Sequence, residues 1–260
     1  MRTIMVSFIL ILYLSQLSAQ IKTKTKEIPY THGETELKGE LVYDPLLKSI
    51  RSGVLVLPDI WGIDDHVRDK ATKLAQLGHV VLIADLYGSS GEATSAEDSL
   101  IRAETLLENK TLLTERAAHG LATLREQNKV DQAKIGVVGF GFGATSALEL
   151  ALTSAQVKAF ALFYPQPDFE TMLNFKDIKG SLLIMYGAKD EFVPQEDMEQ
   201  LQNVLDEAHL DWQMIIYGDA VRGFSNSKLG FEVTDGMAYN YNADLRSFDA
   251  MRQFFTDLLK

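Results

Sequence analysis

Cysteine is absent from the 260-residue chain. Disulfides, thiolate metal sites, a thiol nucleophile and a lipid-modified N-terminal cysteine go with it. Basic residues are in the minority: 25 Lys and Arg stand against 36 Asp and Glu, for a formal charge of −11. That balance argues against nucleic acid and anionic membrane surfaces as partners. Long hydrophobic runs are missing apart from Ile4 to Leu14. This run follows Arg2 and leads into Ser15-Gln16-Leu17-Ser18-Ala19, the order of charged start, apolar stretch and small-residue cleavage region of a secretory signal. It is too short for a transmembrane span, which needs about 20 residues. Residues 1–19 are therefore expected to be a signal peptide, and the protein to be exported, periplasmic or secreted. Losing Arg2 takes the mature charge to −12. Repeats, linkers and low-complexity tracts are also lacking, so residues 20–260 read as one domain that rests on its hydrophobic core.

What is present is alternation of strand and helix patterns. Lys22 to Asp44 alternates around Gly33 and predicts an edge hairpin. Short apolar strands are predicted at 53–58, 79–86, 134–140, 157–164, 180–186 and 212–217. Helices are predicted at 65–77, across 96–128 with a break near Asn109, from the elbow to Leu152, after Pro194, and at the C-terminus. The closing helix is marked by Leu245, Phe248, Met251, Phe254, Phe255 and Leu258 at helical spacing. The pattern places the chain in the α/β class, with a mostly parallel sheet, helices on both faces and an N-terminal hairpin.

The segment Gly139-Phe140-Gly141-Phe142-Gly143 follows a buried strand and opens a helix. It fits the G-x-nucleophile-x-G elbow, in which small flanking residues let strand and helix pack closely around a strained centre. The centre is Gly141, which has no side chain with which to attack a carbonyl. The same glycines, with Ala144, satisfy G-x-G-x-x-A, a dinucleotide-binding pattern. The confirming acid is missing from the end of the next strand, Phe163-Tyr164-Pro165, and Asp168 lies only in the loop beyond. Thr145 and Ser146 are set back in the helix, where hydroxyls bond to helix carbonyls. Asp64, Asp65 and His66 superficially suggest a metal site, but adjacent residues at a helix start diverge, and an Asp there is more naturally a cap. No cofactor and no metal are expected.

Several segments together resemble the dienelactone hydrolase family of the α/β-hydrolase fold. They are Leu57-Pro58-Asp59-Ile60-Trp61-Gly62, Ala84-Asp85-Leu86-Tyr87, the elbow, Tyr186-Gly187-Ala188-Lys189-Asp190 with Val193-Pro194, Tyr217-Gly218-Asp219-Ala220, Gly223-Phe224, and Ala238-Tyr239-Asn240 with Ala243-Asp244 and Arg246-Ser247. The resemblance implies a nucleophile, an acid and a histidine, in that order. Gly141 stands at the nucleophile position, Asp190 at the acid position and Arg222 at the histidine position. An arginine stays protonated and cannot serve as a base near neutral pH. The arginines that hold a substrate carboxylate in such enzymes match Ser89 and Asn226 here. The main-chain N–H groups of Ile60 and Phe142 match the oxyanion-hole donors, with Asp59, Trp61 and Tyr87 as expected pocket walls; Trp61 and Tyr87 could equally be core. Asp190 could bind amides of its own turn, and Arg222 is either a surface arginine or the salt-bridge partner of Asp190.

These residues point to a pseudoenzyme whose pocket binds a small anionic or carbonyl ligand, with the oxyanion donors and Arg222 as its cradle. An alternative is an active hydrolase of small esters or lactones, in which Asp190 orients water while Arg222 and the backbone donors stabilise the oxyanion. A structural or partner-binding protein with a filled pocket is the third class.

Overall fold

The computed structural model describes residues 22–88, 93, 95–169 and 174–260; the expected signal peptide and Ser89 lie outside them. Eight strands form one sheet: β1 (Lys24–His32), β2 (Thr35–Tyr43), β3 (Arg51–Leu57), β4 (Val80–Ile83), β5 (Val130–Phe140), β6 (Ala159–Phe163), β7 (Ser181–Gly187) and β8 (Trp212–Tyr217). Their order is β1-β2-β4-β3-β5-β6-β7-β8. The hairpin β1–β2 joins antiparallel to β4, and all strands from β3 to β8 run parallel. The expected edge hairpin thus forms around Gly33, whose φ of +57° suits a tight turn. Lysines along β1, at positions 24 and 26, charge the open edge and discourage pairing with another sheet.

Helices α1 (Asp65–Gln76), α2 (Ala96–Glu108), α3 (Lys110–Arg125), α4 (Phe142–Leu152), α5 (Gln195–Glu207) and α6 (Tyr241–Leu258) complete the chain. Both faces of the sheet are covered. Gly53 pairs in register with Ile135, and a Cβ on Gly53 would meet Leu124 of α3. One residue on, Gly136 faces the other way, and a Cβ there would meet Phe255 of α6. The continuous burial of β6 and β7 follows from this double cover. The predicted break near Asn109 has a local cause. Its side chain accepts from Leu112 N–H and caps α3, while its backbone closes α2.

Strand order also fixes where a site can form. From β3 the chain goes to β4 on one side and then to β5 on the other. Loops leaving the C-terminal ends of β3 and β5 therefore diverge from a shared crevice, the place where ligands bind in open α/β sheets. The β3 loop carries Asp59 to Trp61, and the β5 turn carries Gly141 and Phe142.

Candidate functional site

The elbow forms as its glycines require. A Cβ on Gly139 would lie 2.2 Å from the Gly143 carbonyl oxygen, and one on Gly143 would lie 2.1 Å from that of Leu57. Only glycine lets β3, β5 and α4 approach so closely. Gly141 sits at φ +51°, ψ −113°, a conformation that L-residues rarely adopt. Its N–H donates to the Phe163 carbonyl at 2.9 Å.

The space beside Gly141 is taken by Asp59. A Cβ at 141 would come within 2.4 Å of Asp59 Oδ1 and 2.7 Å of Oδ2. The same Oδ1 accepts hydrogen bonds from Ile60 N–H at 2.8 Å and Phe142 N–H at 3.1 Å. The N–H groups of Ile60 and Phe142 thus converge on one oxygen and do not form an open cradle: an internal carboxyl group engages both donors. Asp59, expected as a wall, is the centre of the site. Phe142 opens α4, so Asp59 also supplies the negative charge that a helix N-terminus favours. Burial pushes the Asp59 carboxyl above its ordinary value, against the opposing pull of Arg222 and the two N–H donors.

Asp190 and Arg222 meet beside this centre. Asp190 follows β7; its Oδ1 accepts from Phe192 N–H at 3.0 Å, the turn-binding role open to a loop aspartate. Its Oδ2 lies 3.8 Å from Arg222 Nη1, an ion pair without a hydrogen bond. The Asp190 side chain is 0% exposed and that of Arg222 12%, so the surface reading of Arg222 does not hold. Asp190 Oδ2 and Arg222 Nη1 are both buried with no hydrogen-bond partner among the described residues. The guanidinium lies 5.2 Å from the Phe192 ring and 5.8 Å from that of Tyr164. Burial raises the Asp190 carboxyl, and Arg222 partly offsets this.

A cavity of about 710 Å³ opens over the centre, and Asp59, Ile60, Trp61, Phe142, Arg222 and Asn226 line it. Trp61 is therefore a wall rather than core. Tyr87 is not a wall of this cavity. Its ring stacks on Phe142 at 5.8 Å and its hydroxyl donates to the Ile60 carbonyl at 3.0 Å, bracing both donor residues from behind. Asn226 is buried and its Oδ1 accepts from Lys228 N–H. Thr145 Oγ1 faces the Gln166 carbonyl at 3.2 Å and accepts from Gln166 N–H, while Ser146 back-bonds to Phe142 O. Asp64 caps α1, Asp65 pairs with Lys228, and His66 packs edge-on against Phe140, so these three diverge. Asp168 pairs with Lys110 in the loop after β6.

The model of the dienelactone hydrolase family matches residues 42–259. The chain belongs to that family. A solved dienelactone hydrolase-like promiscuous phosphotriesterase from metagenomic libraries superposes with a TM-score of 0.87 at 31% identity, over 92% of this chain and 99% of that one. The crystal structure of dienelactone hydrolase from Anabaena variabilis gives a TM-score of 0.70 at 19% identity, over 92% and 99%, which shows the common fold. A Synechocystis protein named "Putative carboxymethylenebutenolidase" is 25% identical over 259 residues, covering 94% of this chain and all of its own. The mostly parallel sheet with its added hairpin is thus the α/β-hydrolase fold of the dienelactone hydrolase family.

Sequence reasoning missed the apolar walls of the cavity. Leu100 and Leu107 of α2, together with Phe169, Phe192 and Met237, line it. Part of the signal was present: Leu100 and Leu107 lie seven apart, two turns of one helix face. They are 50% and 38% exposed, which leaves apolar surface at the mouth.

Proposed function

We propose that this dienelactone hydrolase-family protein is a pseudoenzyme that keeps its pocket for binding. Gly141 holds the nucleophile position, Arg222 the histidine position and Asp190 the acid position. One observation carries the reading: the Asp59 carboxylate fills the space of a side chain at 141 and engages both N–H groups that would stabilise an oxyanion. A carbonyl entering the cavity therefore meets neither a nucleophile nor an unengaged pair of donors. The alternative, hydrolysis by a water that Asp190 orients, is disfavoured because Asp190 Oδ2 is buried and faces Arg222. Of the two ligand chemistries expected, the anion is also disfavoured, because Asp59 already occupies its donors.

The test is hydrolysis of an activated short-chain aryl ester by the native protein and by Asp190→Ala. No turnover above background in either is expected. Turnover in the native protein that disappears in Asp190→Ala would overturn the pseudoenzyme reading. Export belongs to the same proposal, with residues 1–19 as the signal. A mature N-terminus at Gln20 in an extracytoplasmic fraction is the expected result, and an intact Met1 would refute it.

A further inference from the structure

The charges around the cavity select among ligands. Six charged residues line it: the carboxylates of Asp59, Glu104, Asp168 and Asp197, and the cations Lys110 and Arg222. Each cation already has carboxylate partners. Arg222 faces Asp190 and also acts on Asp59 from a distance, while Lys110 contacts Asp168 and lies 3.4 Å from Glu149. Glu104 and Asp197 pair with no cation among the described residues. Asp59 uses Oδ1 for both main-chain donors, while Oδ2 makes no hydrogen bond to any described residue. The cavity therefore holds surplus negative charge, with one acceptor oxygen at its floor.

The walls narrow the choice further. Trp61, Phe142, Phe169, Phe192, Leu100 and Leu107 surround the floor. Aromatic faces attract organic cations, and apolar walls repay the burial of a hydrocarbon body. A hydrated metal ion would gain nothing from such walls. A cavity of about 710 Å³ falls in the range that encloses a small organic molecule. An incoming anion would find the N-terminus of α4 already neutralised and would face Asp59 itself.

We infer that the pocket takes an apolar organic ammonium, whose hydrocarbon body lies against Trp61 and Phe169 while its N–H groups donate to Asp59 Oδ2. This rests on the binding reading above and names its ligand class. Glu104 and Asp197 add attraction toward the same charge, without direct contact being required.

The test compares three probes of one shape by calorimetric titration into the full chain: 4-phenylbutylamine, 4-phenylbutan-1-ol and 4-phenylbutyrate. The amine is expected to bind about tenfold tighter than the alcohol, equivalent to about 1.4 kcal/mol, and the carboxylate more weakly than either. Asp59→Asn keeps an acceptor for Ile60 and Phe142 while removing the charge, so it should bring amine affinity close to that of the alcohol. Should that variant fail to fold, Glu104→Gln combined with Asp197→Asn, changed at one exposed and one half-buried position of the cavity wall, should lower the amine preference several-fold and flatten its dependence on salt. Alcohol or carboxylate binding as tightly as the amine overturns the ammonium inference alone. Failure of all three to bind at millimolar concentration overturns the binding reading with it.

Discussion

Placing a side chain back at the elbow should destabilise the protein, because Asp59 stands in its way. In Gly141→Ser two effects add. The backbone at φ +51° is strained for any L-residue, at about 1–3 kcal/mol. The new Cβ lies 2.4 Å from Asp59 Oδ1, well inside contact distance, so the carboxylate must be pushed off its two N–H donors. Crowding of this kind costs a further ~1–3 kcal/mol. The expected loss is therefore about 2–6 kcal/mol. Removing the obstacle separates the two terms: in an Asp59→Ala background the crowding goes and the strain stays. The double-mutant cycle should give a favourable coupling of about 1–3 kcal/mol between the positions. Urea unfolding reads all four proteins, with an unchanged slope showing that only stability moved. Two results would refute the reasoning: a Gly141→Ser variant as stable as the native chain, or costs that agree within about 0.5 kcal/mol with and without Asp59.

The same contact is expected to limit any restored activity. Gly141→Ser with Arg222→His should remain inert toward aryl esters, and adding Asp59→Ala should yield measurable hydrolysis; activity in the double variant would show that Asp59 is no obstacle. The pH dependence follows from the raised Asp59 carboxyl. The folded state holds that proton more tightly than the unfolded chain, so native stability falls relative to Asp59→Asn as pH rises from about 3.8 through the raised folded value, and the difference is constant above it. Denaturation midpoints of the two proteins between pH 4 and neutrality check this, and parallel curves would contradict it. On the opposite face, Lys70 of α1 and Asp244 of α6 form a buried ion pair, to which Tyr239 adds a hydrogen bond. Asp244→Ala strands the ammonium and should cost about 3–5 kcal/mol, whereas Lys70→Met with Asp244→Leu should recover most of the loss. A loss below about 1 kcal/mol for Asp244→Ala, the scale of an exposed pair, would refute this.

Much of the fold was legible because its signals are local. Buried strands such as Ala159–Phe163 are continuous apolar runs, Asn109 both stops one helix and caps the next, and Gly139 and Gly143 announce a close strand–helix approach. The position of Tyr87 was less legible. Which way an aromatic at a strand end turns depends on what stands beside it, here Phe142 and the Ile60 carbonyl. The burial of Arg222 was hidden for a similar reason. A lone arginine reads as surface until Tyr164, after β6, and Asp190 and Phe192, in the loop after β7, are known to converge on it from two separate segments.

Asp59 is the clearest case of information that lies between segments. In sequence it is an ordinary aspartate after a strand, 83 residues from Phe142. Its role arises because the chain reverses direction across the sheet at β3, which brings the β3 loop against the start of α4. Helix starts favour negative charge, and an elbow glycine leaves room for a carboxylate to reach the Phe142 N–H. Neither condition suffices alone. With a side chain at 141 the carboxylate would be excluded by contact at 2.4 Å, and without Asp59 the two N–H groups would face the cavity and any anion in it. Gly141 and Asp59 therefore act as one unit. The bare elbow position and the engagement of the two N–H groups are thus one structural arrangement, which sets a carboxyl group at the wall of the cavity.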